Sequence, residues 1–243
     1  MRRFYSPQGK TPQGIVELGP DEARHLRDVL RLGKGDEVSV FDGLGHEFLC
    51  TVESVARNGS ILRIAREIPP VSPESPLFLT VAAAILPGDR FEITVQKAAE
   101  LGVVRLQPLF TARCEVKPGG SSRRSERWQK ISIESAKQSG RATLMKIDEP
   151  VDYKGFIDAT RVSAETGTNI LFSERDGVGF DAIAGSARMT AVFGPKGGWD
   201  DDELERARDA GFTVVTFGGR IVRAETAAIA MTAILQHRFG DLV

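Results

Sequence analysis

Hydrophobic positions alternate with polar ones early in the chain, and this pattern changes further on. The segments Glu37–Phe41, His46–Val55 and Ile61–Glu67 alternate with period two, which predicts three antiparallel strands joined by glycine-bearing turns. Ahead of them Asp21–Leu32 has helical spacing, with Asp21 as the expected N-cap and Gly33 as the expected C-cap. We therefore expect a small N-terminal β-barrel, a fold that commonly binds rather than catalyses.

A proline-rich segment divides the chain. Four prolines lie in Pro69–Pro76, which predicts a stiff, extended linker. We divide the chain into a domain at residues 1–70, a linker at 71–76 and a second domain at 77–243.

Strands and helices alternate after the linker. Asp89-x-x-Glu92 and Asp200-x-x-Glu203 have the spacing of capping boxes at helix starts. Repeated β-α units predict a mostly parallel sheet with helices on both faces. The expected strands are Leu77–Leu86, Val103–Phe110, Asn169–Phe172, Thr190–Phe193 and Thr213–Phe217; the expected helices run from Asp89 to Gly102, Ser125 to Ser139, Asp200 to Gly211 and Thr226 to Gln236.

Composition narrows the class of protein. Hydrophobic residues make up 41% and charged residues 27%, which excludes disorder over most of the chain. Cys50 and Cys114 are too far apart for a CxxC site, and the three histidines lack metal-ligand spacing, so we expect no metal. The longest apolar run is too short to span a bilayer and no signal peptide is visible. We expect a cytoplasmic protein without a membrane partner.

The net charge of −1 conceals a basic middle segment. Residues 105–146 carry 10 Lys and Arg against 3 Asp and Glu. A phosphate backbone would need such a stretch, whereas a solvated helix face explains it equally well when it is taken alone.

Three glycine-bearing loops follow predicted strands, where open α/β sheets bind ligands. They are Phe172–Gly177, Gly194–Gly198 and Gly218–Arg223. None matches GxGxxG or a P-loop, which disfavours a dinucleotide fold. For Gly194–Gly198 a tight turn is at least as good an explanation. The segment Gly218–Ala227 favours a functional interpretation, because helix capping explains neither its two glycines nor its two arginines.

Taken in order, the motifs resemble those of the RsmE family of ribosomal RNA uridine-N3 methyltransferases, within the SPOUT superfamily. The resemblance covers nearly the whole chain, and its most specific parts are the last two. The matching residues are Arg2–Tyr5, His25–Arg31 with Gly35-Asp36, Lys97–Val103, Trp128, Glu134–Gln138, Arg141, Gly194–Gly198 and Gly218–Ala227.

The resemblance implies a fold and an activity. The fold would be α/β: a small PUA-like β-barrel that binds RNA, then a SPOUT domain with a mostly parallel sheet and a trefoil knot. The cofactor would be S-adenosyl-L-methionine. The substrate would be N3 of one uridine of 16S ribosomal RNA, in the decoding region of the small ribosomal subunit. The active form would be a homodimer.

The resemblance also assigns cofactor contacts to the three loops. The family usually has Glu where this chain has Lys196, and Leu, Pro and Thr where it has Phe217, Gly219 and Ala224. The expected cofactor-binding residues are Leu171, Phe172, Glu174, Gly194, Pro195, Gly197, Gly198, Phe217, Gly218, Ile221, Arg223, Thr226 and Ala227.

Methylation of uracil N3 requires help with a proton, because this nitrogen is mostly protonated at neutral pH. Our candidate for stabilising the uracil anion is Arg223, with Arg220 in reserve, and Glu225 is either the base or a structural residue. The expected RNA-binding residues are Arg2, Arg3, Arg24, His25, Arg27, Arg31, Arg123, Arg124, Gln138 and Arg141, with Arg127 and Lys130 beside them.

Three other functions stay open at this point. They are a knotted methyltransferase that acts on another RNA such as transfer RNA, a non-catalytic RNA-binding adaptor, and a nucleotide-dependent oxidoreductase. The intact glycines at 194, 197, 198 and 218 argue against the adaptor, and the missing dinucleotide motif argues against the oxidoreductase. The sequence does not identify the modified nucleotide, nor whether naked RNA or an assembled subunit is the substrate.

Overall fold

The computed structural model describes residues 2–9, 11, 13–57, 59–119, 121–162 and 167–242. The chain forms two compact units. One contains the residues up to Glu74 together with Ile133–Leu144, and the other contains Ser75–Ser132 and the residues from Met145 onward. Chain order alone did not predict that Ile133–Leu144 belongs to the first unit.

A five-stranded sheet forms the first unit. Its strands lie in the order β1-β3-β4-β5-β2, antiparallel except for the parallel pair β1 and β3. The three strands predicted from alternation are present, and burial alternates along much of β4 and at the start of β5, whereas β3 is buried at every position from Val38 to Phe41. The strands are β1 (Arg3–Tyr5), β2 (Ile15–Leu18), β3 (Glu37–Phe41), β4 (Glu47–Val55) and β5 (Ser60–Ile68).

The helix predicted at Asp21–Leu32 is shorter and differently capped. Helix α1 (Pro20–Arg24) continues into a π-helical turn at His25–Val29. The expected N-cap at Asp21 is wrong, because Gly19 occupies that position and Pro20 begins the helix. Proline fits the first helical position since its fixed φ suits the helix and its missing N–H leaves no unpaired donor. The π-helical turn also ends short of Gly33, so that residue is not the C-cap.

A buried ion pair connects this sheet to the end of helix α3 (Ser121–Ser139). Arg3 donates through Nε and Nη2 to the carboxylate of Glu47, at 3.0 and 2.9 Å. Its Nη1 donates to the carbonyls of Ala136 and Lys137, at 2.9 and 3.0 Å. Because the Glu47 side chain is fully buried, Arg3 both neutralises that carboxylate and caps the free carbonyls of the helix end.

A seven-stranded sheet forms the second unit, and all its strand pairs are parallel. The order is β12-β10-β11-β6-β7-β8, with β9 also paired to β7. The strands are β6 (Phe78–Ala84), β7 (Arg105–Phe110), β8 (Lys146–Ile147), β9 (Val151–Asp152), β10 (Thr168–Ser173), β11 (Arg188–Phe193) and β12 (Thr213–Thr216).

Helices cover both faces of this sheet, as predicted. On one face the core includes Phe91 of α2 and Met231 of α6, and on the other it includes Ile157 of α4 and Leu204 of α5. The trefoil knot implied by the resemblance stays a prediction. The helices are α2 (Arg90–Glu100), α4 (Tyr153–Val162), α5 (Asp201–Asp209) and α6 (Ala224–Phe239).

One of the two expected capping boxes forms. At α5 the Asp200 side chain accepts a backbone hydrogen bond, and the Glu203 carboxylate accepts one from the backbone N–H of Asp200. At α2 the side chain of Asp89 makes no capping hydrogen bond, so that prediction is wrong. Arg127 competes for the two carboxylates, at 3.7 Å from Asp89 and 2.6 Å from Glu92.

Candidate functional site

A cavity of about 740 Å³ opens at the carboxyl ends of β10, β11 and β12. These three strands are neighbours on one side of β6, and the chain enters them only after β7, β8 and β9 have formed the other side. Ligands of open α/β sheets bind where the strand order changes direction in this way. The volume lies within the range of small-molecule sites, about 300–1,000 Å³.

Trp199 connects the first two loops of the cavity. Its indole Nε1 donates to the carbonyl of Phe172 at 2.8 Å, and the ring is fully buried. Gly194 packs directly on this ring: a Cβ at that position would lie 2.8 Å from Trp199 Cε2. The glycine is therefore required by close packing, and the two loops share one support.

Arg113, outside the loops, and Arg175, in the first loop, fix the backbone of the second loop and of the residue that follows it. Arg113 donates to the carbonyl of Gly197 and to the carboxylate of Asp200, both at 3.2 Å. Arg175 donates to the carbonyl of Trp199 at 3.1 Å and to Asp201 at 2.6 Å. Hydrogen bonds to Asp176 and Asp201 raise the pKa of Arg175. Arg175 therefore stays positively charged and keeps its bonds to Trp199 and Asp201 at every physiological pH.

The third loop carries the expected catalytic residues. Arg223 is the N-cap residue of α6 and Glu225 lies in its first turn, and both line the cavity. The Glu225 side chain is 15% exposed, and its carboxylate lies 3.9 Å from the Nε of Arg90. Helix α6 begins at Ala224, two residues before the predicted start at Thr226.

Most of the expected cofactor contacts surround this cavity. Leu171 does not, because its side chain belongs to the core on the opposite face of the sheet, and Thr226 does not line it either. The expected residues that do line it are Phe172, Glu174, Gly194, Pro195, Gly197, Gly198, Phe217, Gly218, Ile221, Arg223 and Ala227.

Arg90 and Met231 also line the cavity, although neither was predicted as a site residue. Arg90 begins α2 just after β6, at the same edge of the sheet as the three loops. That position in the sheet was enough to predict Arg90 as a site residue. It was missed because the motif around Asp89 was interpreted only as a helix cap. Met231 lies on the apolar helix α6, where composition does not separate core positions from ligand positions.

Two expected RNA contacts have internal partners instead. Besides its bonds to Glu47, Arg3 donates to the carbonyl of Arg141 at 3.1 Å. Arg141 is 4% exposed and pairs with Glu74 at 2.7 Å. These contacts favour a structural role for both arginines over contact with RNA.

The other expected RNA contacts differ in exposure. Arg27 pairs with Asp28 at 2.6 Å, Arg124 donates to the carbonyl of Gly119, and His25 packs edge-on against Phe4. The exposed members of the set are Arg2, Arg24, Arg31, Arg123 and Gln138.

Across the described residues, no helix combines the length and apolar character needed to cross a membrane. The same residues contain no cluster of three or more His, Cys, Asp or Glu side chains placed to hold a metal ion.

Family models match both parts of the chain. A model described as an RNA methyltransferase domain matches residues 73–236, and one described as an RNA methyltransferase PUA domain matches residues 18–65. The fold and the loop-lined cavity thus define an RNA methyltransferase with an appended PUA domain.

Individual relatives narrow this class. Ribosomal RNA small subunit methyltransferase E of Synechocystis is 33% identical over 89% of this chain and 72% of its own length. The enzyme of that name from Rickettsia conorii is 29% identical over 97% of this chain and 94% of its own length. The chain belongs to the RsmE family of RNA methyltransferases.

Solved structures agree with this assignment. Ribosomal RNA small subunit methyltransferase E of Neisseria gonorrhoeae, bound to S-adenosyl methionine, superposes with a TM-score of 0.91. The two chains are 33% identical, and each is covered completely. A Legionella pneumophila methyltransferase in complex with the same cofactor gives a TM-score of 0.91 at 32% identity, covering 100% of this chain and 99% of that one.

Proposed function

We propose that this protein transfers a methyl group from S-adenosyl-L-methionine to N3 of one uridine in 16S ribosomal RNA. The cavity at the carboxyl ends of β10, β11 and β12 carries the proposal, because three glycine-bearing loops expected to bind this cofactor converge there. Relatives named ribosomal RNA small subunit methyltransferase E support the substrate. The reaction would take place in the cytoplasm.

The residues of the cavity fit the cofactor. The carboxylate of Glu174 suits its positive charges and its ribose hydroxyls, while Arg90 suits its carboxylate. A Cβ at Gly218 would meet no atom within 4 Å, so this loop leaves open space where a ligand could lie against the backbone. When bound, S-adenosyl-L-methionine supplies an activated methyl group that needs no metal.

The protein must then make uracil N3 nucleophilic. Loss of the N3 proton spreads negative charge over the ring oxygens, and a nearby guanidinium stabilises that anion. Arg223 holds this role in our proposal, since it is exposed and lines the cavity. Glu225 is the candidate base, although its proximity to Arg90 also fits a structural carboxylate that orients this arginine.

The target uridine must be unpaired or flipped out, because a duplex hides N3 in its Watson–Crick pair. In the first unit, Arg2, Arg24 and Arg31 are exposed and available for phosphate contacts. Their placement supports RNA binding by the unit that contains the PUA match.

We also propose that the protein acts as a homodimer through its second unit. Phe217, Ile221 and Val222 line the cavity and remain 46%, 92% and 41% exposed. Apolar side chains of this size beside a binding site are typical of a surface that a partner covers. Sedimentation should give a dimer for the wild type, and Ile221→Asp should shift the protein toward monomer. A monomeric wild type at every concentration would contradict this part of the proposal.

The substrate is tested by transfer of labelled methyl groups to three RNAs side by side: small ribosomal subunits lacking the modification, naked 16S RNA and bulk transfer RNA. We expect label in subunits or 16S RNA that digests to N3-methyluridine. Label in transfer RNA alone would support the knotted transfer-RNA enzyme instead. Absence of both methyl transfer and cofactor binding would support the adaptor.

The role of Arg223 is tested by the pH dependence of single-turnover methyl transfer. Arg223→Gln should slow the reaction by about 100-fold, the usual order for losing one stabilising donor. The deficit should shrink as pH rises, because the uracil anion then forms without help. The control is Lys154→Gln, an exposed charge of the same unit outside the cavity. A deficit independent of pH would remove Arg223 from this role.

A further inference from the structure

Positive charge exceeds negative charge among the described residues that line the cofactor cavity. The cations are those of Arg90, Lys196, Arg220 and Arg223, and the carboxylates are those of Glu174 and Glu225. S-adenosyl-L-methionine carries an ammonium and a sulfonium group against a single carboxylate, so it adds further positive charge when it binds. The cofactor therefore does not explain why this cavity is basic.

Two of these cations already have a carboxylate partner. Arg90 faces Glu225, with 3.9 Å between its Nε and the carboxylate oxygen. The Nζ of Lys196 lies 3.3 Å from the carboxylate of Glu115, which does not line the cavity. Arg90 and Lys196 are thus neutralised by the protein itself, and the excess charge comes from the third loop.

Arg220 and Arg223, both in that loop, have no such partner. In the part of the chain that the structure describes, neither guanidinium makes a hydrogen bond or an ion pair. The remaining carboxylate of the cavity, that of Glu174, has a cation of its own, since it lies 3.8 Å from the Nε of Arg175. Because Arg223 serves the uracil anion in our proposed function, Arg220 is the unpaired cation that still lacks a role.

Arg220 lies at the rim of the cavity, where the cavity opens to solvent. Arg220 is exposed, the next residue, Ile221, is 92% exposed, and a Cβ on the preceding Gly219 would meet no atom within 4 Å. A flipped-out nucleotide inserts its base into a pocket and leaves its backbone outside. Its phosphates stay near the surface, because removing such a charge from water is costly. An exposed, unpaired cation at the rim is therefore placed for a phosphate.

We propose that Arg220 binds a backbone phosphate beside the target uridine, while Arg223 serves the uracil ring. This inference rests on the proposed methyl transfer to RNA. A guanidinium can donate two parallel hydrogen bonds to the oxygens of one phosphate, so a single contact fixes the RNA strand at the rim. Such a contact positions the nucleotide and does not identify its base.

The test is the salt dependence of methyl transfer by Arg220→Gln to the RNA that accepts label from the wild type. Loss of one phosphate contact should lower kcat/KM by about tenfold at low salt. It should also reduce the slope of log kcat/KM against log salt concentration by about one. The matched control is Arg161→Gln, which removes an exposed arginine of α4 outside the cavity and should change neither quantity. An unchanged slope in Arg220→Gln would overturn the proposal.

Three measurements on Arg220→Gln separate a phosphate contact from other roles. We expect normal binding of S-adenosyl-L-methionine, which also verifies folding, a rate deficit that is the same at every pH, and unchanged sedimentation. Weaker cofactor binding would assign Arg220 to the cofactor carboxylate. A deficit that shrinks as pH rises would assign it to the uracil anion, and a shift from dimer to monomer would assign it to a contact with the partner subunit. Each of these three results would overturn the proposal.

Failure of this inference differs from failure of the proposed function. A wild type that methylates none of the three RNAs would refute the proposed function and this inference with it. A wild type that methylates one of them, together with an unchanged salt slope in Arg220→Gln, would refute the inference alone.

Discussion

Replacing Gly194 by alanine tests the packing that supports the cofactor loops. The new Cβ would lie 2.8 Å from Cε2 and 3.0 Å from Nε1 of Trp199. The indole cannot retreat easily, because it is fully buried and its ring centroid lies 5.1 Å from that of Tyr153. Overpacking of this kind costs about 1–3 kcal/mol. Displacing the indole also leaves the carbonyl of Phe172 buried without its hydrogen bond, which costs about 1–3 kcal/mol more.

Urea unfolding followed by tryptophan fluorescence measures this loss, since both tryptophans lie in the second unit. We expect Gly194→Ala to lower the free energy of unfolding by at least about 2 kcal/mol and to weaken cofactor binding. The matched control is Gly218→Ala, whose Cβ would meet nothing within 4 Å and should change stability by less than about 0.5 kcal/mol. Combining Gly194→Ala with Trp199→Phe should cost less than the sum of the two single losses, because the smaller ring relieves the contact. Equal stabilities of the two alanine variants would refute the packing argument.

Three further predictions concern the first unit. Arg3→Met should lower the free energy of unfolding by about 3–5 kcal/mol, because it leaves the buried carboxylate of Glu47 unpaired. Arg2→Met, at an exposed position, should not lower it, and urea unfolding followed by circular dichroism compares the two variants. The hydrogen bond between His46 and Glu67 raises the pKa of His46 above its usual 6.5. Any stabilisation from this pair is therefore present below pH 6.5 and disappears as the pH rises through the raised pKa. In an NMR titration Glu67→Gln should lower the pKa of His46, and an unchanged value would contradict the assignment. Burial raises the pKa of the Cys50 thiol to about 12, so alkylation of the native protein at mildly alkaline pH should modify half-buried Cys114 and spare Cys50.

The sequence predicted most of the second sheet because five of its strands are apolar, whereas β8 and β9, with two residues each, were too short to predict. Each of the five strands expected there is present within a few residues, and the capping box at Asp200 forms. Helix α4 was not predicted, although it packs Tyr153 and Ile157 into the core. Its short apolar pattern gave no signal that distinguishes it from a loop.

Residues whose role depends on distant partners were the hardest to assign. Arg3 and Arg141 were predicted to contact RNA, because a sequence shows that a residue is charged and not what it pairs with. Their partners, Glu47 and Glu74, lie 44 and 67 positions away. Arg90 was overlooked for a different reason: it follows a predicted strand closely, but the motif around Asp89 was interpreted only as a helix cap.

The glycine loops were predictable because their chemistry is local. At Gly194–Gly198 and at Gly218–Ala227 the chain passes from a strand through a glycine-bearing turn into a helix. The side of the sheet on which Leu171 lies was not predictable from the motif, since successive strand residues point to opposite faces.

The central claim is that S-adenosyl-L-methionine binds in the cavity at the carboxyl ends of β10, β11 and β12. Calorimetric titration of the wild type, Ala227→Leu and Ala233→Leu tests it directly. Both substitutions add the same side chain to α6, but only Ala227 lines the cavity. We predict saturable binding to the wild type and to Ala233→Leu, and binding at least tenfold weaker to Ala227→Leu. Equal affinity in all three proteins, or no binding to the wild type, would contradict the account.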